Sequence, residues 1–187
     1  MIKNYKYKIS IYFSMETTKN IMPEYNRIFF EKLKNYLDMK IYFFGSIQRD
    51  DYFPKNSDID VALFTDNIKS TITQLQIFLN VDKNDFKSFV WRLNYDNSLV
   101  KGYKIMYKEP ENELAVEFSI YDEKYKDGIL NEHNGKRILP FYATCALVII
   151  KYLFYTLNIM PKEWYVYLKN VILTKLIFLK EDDFVVL

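Results

Sequence analysis

Two aspartates that stand two residues apart, Asp58 and Asp60, have the clearest capacity for chemistry in this sequence. The segment from Asp58 to Phe64 is predicted as a strand because it is short, apolar and rich in β-branched and aromatic residues. Residues two apart on a strand share a face, so both carboxylates leave the same side, roughly 6.5–7 Å apart. Charges this close repel unless a cation lies between them, and a hard dication that also binds phosphate oxygens suits the pair.

A glycine and a serine, Gly45 and Ser46, precede the aspartates where another short strand is predicted to give way to a helix. Glycine lets the backbone approach a ligand closely. The free N–H groups of a helix start, together with the Ser46 hydroxyl, suit a phosphate. The order of these features therefore indicates a phosphate-bearing substrate beside a metal-binding strand.

A third acid is expected from a neighbouring strand, and Glu117 is the first candidate. It lies at the centre of the alternating segment Glu113 to Tyr121, where an acid is costly without a reason. Glu113, nearer the preceding turn, is the second candidate. The competing interpretation pairs Glu117 with Lys101 or Lys104 across a hairpin, an interaction of little energetic value. Likewise, Asp58 and Asp60 considered alone could be solvated charges at the start of a strand.

Taken in order, these residues resemble the nucleotidyltransferase fold superfamily of the DNA polymerase β type. The sequence from Gly45 to Val61 is most similar to the minimal and terminal nucleotidyltransferase branches of this superfamily. The resemblance covers Met22 to Tyr121, just over half of the chain. The sequence departs from the family pattern in a slightly longer loop between Ser46 and Asp58, and in a Glu where Asp is commoner.

The resemblance implies metal-dependent transfer of a nucleoside monophosphate from an NTP, such as ATP, to an acceptor hydroxyl, with release of pyrophosphate. It makes Asp58, Asp60 and Glu117 the catalytic residues and the ligands of two Mg²⁺ or Mn²⁺ ions. The residues it assigns to nucleotide binding are Gly45, Ser46, Arg49, Lys55 and Ser57. The acceptor stays open among an RNA 3′ end, a protein side-chain hydroxyl and a small molecule. The alternative is a catalytically silent module that binds a nucleotide or a partner on the same fold.

The elements that must position these residues are predicted as an α+β fold. A small mixed sheet with flanking helices is expected over residues 1–137, followed by a C-terminal helical extension over residues 138–187 that packs on it. Alternation predicts strands over Lys3 to Phe13, Lys101 to Tyr107 and Glu113 to Tyr121, the last two forming a hairpin. Short β-prone runs predict two more, over Lys40 to Phe44 and Asp58 to Phe64. Helical spacing predicts helices over Met22 to Met39, Ile68 to Leu79, Asp82 to Asn97, Glu123 to Asn131, Leu139 to Met160 and Pro161 to Leu179.

Composition narrows the class of protein. The chain has 187 residues, half of them hydrophobic, which suits one ordinary domain. Its net charge of +2 is too small to hold nucleic acid by bulk charge. A single cysteine, Cys145, excludes an internal disulfide framework, and a single histidine, His133, excludes a His-rich metal centre. His133 is interpreted as a surface residue near a helix end.

No signal peptide is recognised, so a reducing cytoplasm is expected, that of the host if the source is a virus.

The apolar stretch from Leu139 to Met160 is long enough to span a bilayer. Its one charge, Lys151, falls in mid-segment and would cost about 2.5–3.5 kcal/mol at the centre of a membrane helix. A helix buried against the catalytic half, or a face for a homodimer, is therefore the preferred interpretation.

Overall fold

A mixed sheet of six strands organises the protein, in a computed structural model that describes residues 15–94, 97–176 and 184–186. The strands are β1 (Tyr42–Phe44), β2 (Ile59–Thr65), β3 (Lys87–Arg92), β4 (Leu99–Glu109), β5 (Leu114–Asp122) and β6 (Phe184–Val186). Their spatial order is β1-β2-β5-β4-β3-β6. The β2 and β5 strands run parallel, and every other neighbouring pair is antiparallel.

Five α-helices accompany the sheet among the described residues. They are α1 (Glu24–Leu37), α2 (Ile68–Leu79), α3 (Lys126–Gly135), α4 (Phe141–Lys151) and α5 (Lys162–Val171). Short π-helical turns, Tyr152–Thr156 and Ile172–Leu176, follow the last two. The expected α+β class is confirmed. The α2 helix has the predicted limits, and Asn67 caps it by accepting a 3.1 Å hydrogen bond from the Ser70 amide.

The two faces of the sheet have different neighbours. On one face, Ile59, Val61 and Leu63 of β2 and alternate residues of β5 pack against α1 and α2. On the other face, Ala62 and Phe64 of β2 join an aromatic cluster that includes Trp91. Because side chains alternate along a strand, Asp60 belongs to this second face, away from α1 and α2. The sheet thus carries the larger core on one face and, on the other, a smaller buried cluster together with Asp60.

One predicted helix is wrong. The segment Asp82 to Asn97 contains β3, which pairs with β4 in antiparallel register, although helical spacing favoured a helix there. Phe89 and Trp91 are 0% and 1% exposed and alternate with less buried residues. The apolar positions in this short segment fit both the 3.6-residue period of a helix and the two-residue period of a strand. Pairing with β4 decides in favour of the strand. The predicted hairpin of β4 and β5 is confirmed.

The C-terminal segment also differs from its prediction in detail. The expected single helix over Leu139 to Met160 is α4 followed by a π-helical turn, and the chain ends with β6 beside β3. None of the described helices is both long and apolar enough to cross a bilayer. The division at residue 137 stays a prediction. The predicted strand over Lys3 to Phe13 lies outside the described residues.

Candidate active site

Three carboxylates gather at one end of the β2–β5 pair. Asp60 of β2 lies opposite Glu117 of β5 in parallel register, so the two side chains leave the same face of the sheet. Asp58 lies just before β2. Burial, together with the charges of Asp58 and Glu117, raises the pKa of Asp60 to about 8. The strand pairing therefore concentrates negative charge around Asp60.

Gly45 packs directly against this charge. It adopts φ +69°, and a Cβ atom placed on it would lie 1.7 Å from Oδ2 of Asp60. The antiparallel pairing of Phe44 with Asp60 brings the turn into this contact. The helix that follows is a 3₁₀ turn of four residues, Gly45–Gln48, so its dipole offers a phosphate less than the predicted helix start would. What the turn supplies is a backbone close to the carboxylate and a buried Ser46.

A cleft of about 220 Å³ opens beside these residues. Of the predicted site residues, it is lined by Gly45, Ser46, Arg49, Ser57, Asp58 and Asp60. The helices after β5 contribute Lys136, Arg137, Lys151, Tyr155, Tyr165 and Lys169. The predicted nucleotide-binding residues therefore share one cleft with the aspartates, with one exception that is described next.

Lys55 stands apart from the other predicted site residues. Its Nζ lies 2.8 Å from Oε2 of Glu113, and both side chains are more than half exposed. Glu113, the second candidate for the third acid, thus sits in the turn before β5 with a lysine partner. Glu117 does not line the cleft, but it neighbours Asp60 in the sheet, and it makes no ion pair within the described part of the chain. The geometry favours Glu117 over Glu113 as the third acid.

A buried ion cluster borders the cleft at the loop between the glycine turn and β2. Asp51 is 0% exposed and accepts hydrogen bonds from Arg49, at 2.7 Å from Nε and 3.2 Å from Nη2. Lys151 of α4 places its Nζ 3.0 Å from Oδ2 of the same aspartate. Sequence reasoning missed both Asp51 and Lys151. A charge in the middle of an apolar helix was the available signal for Lys151, but it was used only to argue against a membrane span.

The family model described as a nucleotidyltransferase domain matches residues 24–133, more than half of the chain. The chain belongs to this nucleotidyltransferase domain family. Neither the curated proteins nor the solved structures contain a match to it. The matched region runs from the start of α1 into α3 and includes every predicted site residue. The cleft residues of α4 and α5 lie beyond it.

His133 of the nucleotidyltransferase is not the surface residue that the sequence suggested. Its ring stacks on Phe44 with 3.9 Å between centroids, and its Nε2 is enclosed without a hydrogen-bond partner in the described part of the chain. Burial, reinforced by the charge of Lys136, lowers the pKa of His133 to about 3. The imidazole is therefore neutral at physiological pH. The predicted helix ended at Asn131, whereas α3 continues to Gly135 and turns His133 toward the sheet.

The donor set of the nucleotidyltransferase fits a hard dication. Asp58, Asp60 and Glu117 offer carboxylate oxygens, the ligands that Mg²⁺ and Mn²⁺ prefer. Burial first, and then the charges of Asp58 and Glu117, raise the pKa of Asp60, so a cation bound beside it would favour the ionised carboxylate. Within residues 15–94, 97–176 and 184–186, no group of three acidic, histidine or cysteine side chains is already drawn together as a metal site. Asp60 and Glu117 are thus adjacent in the sheet, with Asp58 just before β2, but the three carboxylates do not converge on one point.

The Asp51 cluster predicts a specific sensitivity to acid. Burial alone would raise the pKa of Asp51, but its hydrogen bond to Arg49 and the charges of Arg49 and Lys151 outweigh it and hold the pKa at about 2. Because the pKa of Asp51 is lower in the folded protein than the value near 3.9 expected when unfolded, the ionised carboxylate stabilises the fold above about pH 4. This stability is lost as the pH falls from about 4 to 2. We expect a loss of about 2 kcal/mol over that interval, measurable by urea unfolding. The Asp51→Asn/Lys151→Met variant should lose correspondingly less; an identical pH profile would contradict the assignment.

Proposed function

We propose that this nucleotidyltransferase transfers a nucleoside monophosphate from an NTP to an acceptor hydroxyl and releases pyrophosphate. The observation that carries the proposal is the position of Asp60, enclosed between the Gly45 turn and Glu117 with Asp58 two residues away. Such a concentration of carboxylates beside a glycine turn suits a substrate that arrives as a metal–triphosphate complex. Family membership supports the same class of reaction.

Each group would have a distinct role. Asp58, Asp60 and Glu117 would hold the divalent ions, two of Mg²⁺ or Mn²⁺ by the family resemblance. When bound, such ions neutralise triphosphate charge and acidify the attacking hydroxyl. Ser46, Ser57 and the backbone of the Gly45 turn line the cleft where the phosphates would bind. Catalysis would then rest on positioning and charge neutralisation rather than on a covalent step of the protein.

Cations that line the same cleft support triphosphate binding there. Arg49 and Lys169 line the cleft, and the charge of each lowers the pKa of Asp60 against the effect of burial. Both are therefore close enough to the carboxylates to act on the same substrate. They would hold the phosphates that leave as pyrophosphate. Lys55, which pairs with Glu113, has the weaker claim to this role.

Two further proposals concern the acceptor of the nucleotide and the assembly of the protein. An RNA 3′ end, a protein hydroxyl and a small molecule all present the required nucleophile. A homodimer through α4 and α5 is supported by exposed apolar residues such as Phe141, Ile149 and Trp164, which are 83%, 58% and 61% exposed. Light scattering with and without detergent would test it. Action in a reducing cytoplasm agrees with the single cysteine.

A transfer assay tests the proposed function. The protein is incubated with each α-³²P-labelled NTP, Mg²⁺ or Mn²⁺, and mixed pools of RNA, protein and small-molecule acceptors. Label that moves to an acceptor with the wild type, and not with Asp58→Asn/Asp60→Asn, would establish the activity and the acceptor class. Metal-dependent NTP binding without transfer would support the alternative, a silent nucleotide-binding module. The absence of both transfer and NTP binding would contradict the assignment of this cleft.

The identity of the third acid gives a prediction with a built-in control. We expect Glu117→Gln to slow transfer by roughly a hundredfold, because it removes a charged metal ligand at the sheet position beside Asp60. Glu113→Gln should change the rate less than about twofold, since that side chain is exposed and forms an exposed ion pair with Lys55. Single-turnover rates at saturating NTP and metal measure both. The reverse ranking would make Glu113 the third acid.

A further inference from the structure

Lys151 is buried with its hydrogen-bonding capacity committed to one loop. Its side chain is 3% exposed, and Nζ donates to the Asp51 backbone oxygen at 2.7 Å and lies 3.0 Å from Oδ2 of Asp51. A third contact reaches Oγ of Ser57 at 3.4 Å. An ammonium group has three donors, so these contacts leave none for a substrate. Lys151 therefore acts on this loop and not on a ligand.

Arg49 is in the opposite situation. Two of its five N–H donors, on Nε and Nη2, are engaged by Asp51, and the other three have no partner within the described part of the chain. Arg49 lines the cleft while its side chain is only 12% exposed. The paired contact with one carboxylate fixes the plane of the guanidinium, which is the condition for planar recognition of a phosphate. Asp51 can impose that plane only if it is itself held in place.

We propose that Lys151 is a positioning residue for the triphosphate: it fixes Asp51, and Asp51 orients Arg49 toward the phosphates. The inference rests on the proposed function, because it assumes that an NTP binds in this cleft. It means that α4, which lies beyond the matched region 24–133, completes the nucleotide site. The segment after β5 is then part of the catalytic unit and not an appendage.

Charge and energetics support this role over simple attachment of α4. Buried ion pairs are expensive, and apolar residues of similar volume often stabilise a protein as well or better. The helix already packs through Ala143, Leu147 and Ile150 against Tyr165 and Ile172. The cluster also carries two cations against one carboxylate, so it leaves a positive charge at the cleft wall. An anion in the cleft would compensate that charge.

Nucleotide affinity in a double-mutant cycle tests the proposal without requiring turnover. Dissociation constants are measured in the presence of Mg²⁺ for two ligands. One is the non-hydrolysable α,β-methylene analogue of the best-binding NTP, and the other is the NMP with the same base. The proteins are wild type, Lys151→Met, Arg49→Met and the double variant. We expect Lys151→Met to weaken NTP binding about tenfold and NMP binding less than about twofold. In the Arg49→Met background, Lys151→Met should add less than about twofold, because the two residues act in series.

Two further variants separate positioning from folding. Asp51→Asn/Lys151→Met removes the Asp51–Lys151 charge pair and leaves an amide oxygen that can still accept from Arg49, so it should unfold near the wild-type temperature and still bind NTP about tenfold more weakly. Lys19→Met breaks an exposed ion pair with Asp50 in the same loop and should leave affinity unchanged. If Lys151→Met weakened NTP and NMP binding equally, or if its effect added fully to that of Arg49→Met, this inference would be overturned while the proposed function would stand. A wild type that binds no NTP would overturn the proposed function and this inference with it.

Discussion

The Asp60→Asn variant should transfer nucleotide roughly a thousandfold more slowly than the wild type, or not at all. Asparagine keeps the shape of the side chain and one oxygen, but it removes the negative charge that would hold a dication. Asp60 is the carboxylate on which the site converges: Glu117 flanks it in the sheet, Asp58 precedes it, and the Gly45 turn contacts it. No described residue is placed to substitute for that position. Rates with saturating metal and NTP, measured under single-turnover conditions, give the comparison.

The same substitution should leave the fold intact or make it more stable. Burial and two neighbouring carboxylates raise the pKa of Asp60, so its charged form costs free energy in the absence of metal. A neutral amide avoids that cost, and we expect an unfolding temperature equal to or above that of the wild type at pH 9, where the carboxylate is ionised. Asp66→Asn, in the exposed residue just after β2, is the matched control and should change neither property. Activity of Asp60→Asn within tenfold of the wild type would remove Asp60 from the site.

The parts of this site that follow from local sequence were predictable. Asp60 lies on a strand whose β-prone composition is visible in the sequence, Asp58 immediately precedes that strand, and β5 alternates around Glu117. The order of the glycine turn, the strand and the later acid is also local information. Family resemblance then supplied the expectation that these segments meet, which the β2–β5 register confirms for Asp60 and Glu117.

The residues that sequence reasoning missed depend on contacts between distant segments. Lys151 reaches Asp51 across 100 positions, and no period in α4 reveals which face meets the loop. His133 was assigned to the surface because the predicted helix ended before it. Lys55 is a cation near the motif in sequence, but its Nζ pairs with Glu113 and it does not line the cleft. Asp60 and Glu117 are held side by side by their strands, whereas the position of a long cationic side chain depends on partners that the local sequence does not reveal.

Gly45→Ala should be the most damaging substitution that leaves every charged group in place. A Cβ atom at this position would lie 1.7 Å from Oδ2 and 2.7 Å from Cγ of Asp60, far inside contact distance. In addition, φ +69° costs a non-glycine residue about 1–2 kcal/mol. Either the turn or the Asp60 side chain must move, and both belong to the site. We expect transfer to fall by roughly a hundredfold or more and the unfolding temperature to fall by roughly 5 °C.

The matched control for this substitution is Gly135→Ala. Gly135 ends α3, where an added Cβ meets nothing within 4 Å, so this variant should match the wild type in rate and stability. A second comparison isolates the collision from the backbone strain. In an Asp60→Ala background the carboxylate is absent, and Gly45→Ala should then cost only the strain of its φ angle, a smaller loss of stability than in the wild type. If Gly45→Ala costs the same in both backgrounds, the turn does not press on Asp60. The glycine would then serve the fold alone, and the enclosure of Asp60 that supports the proposed function would lose its basis.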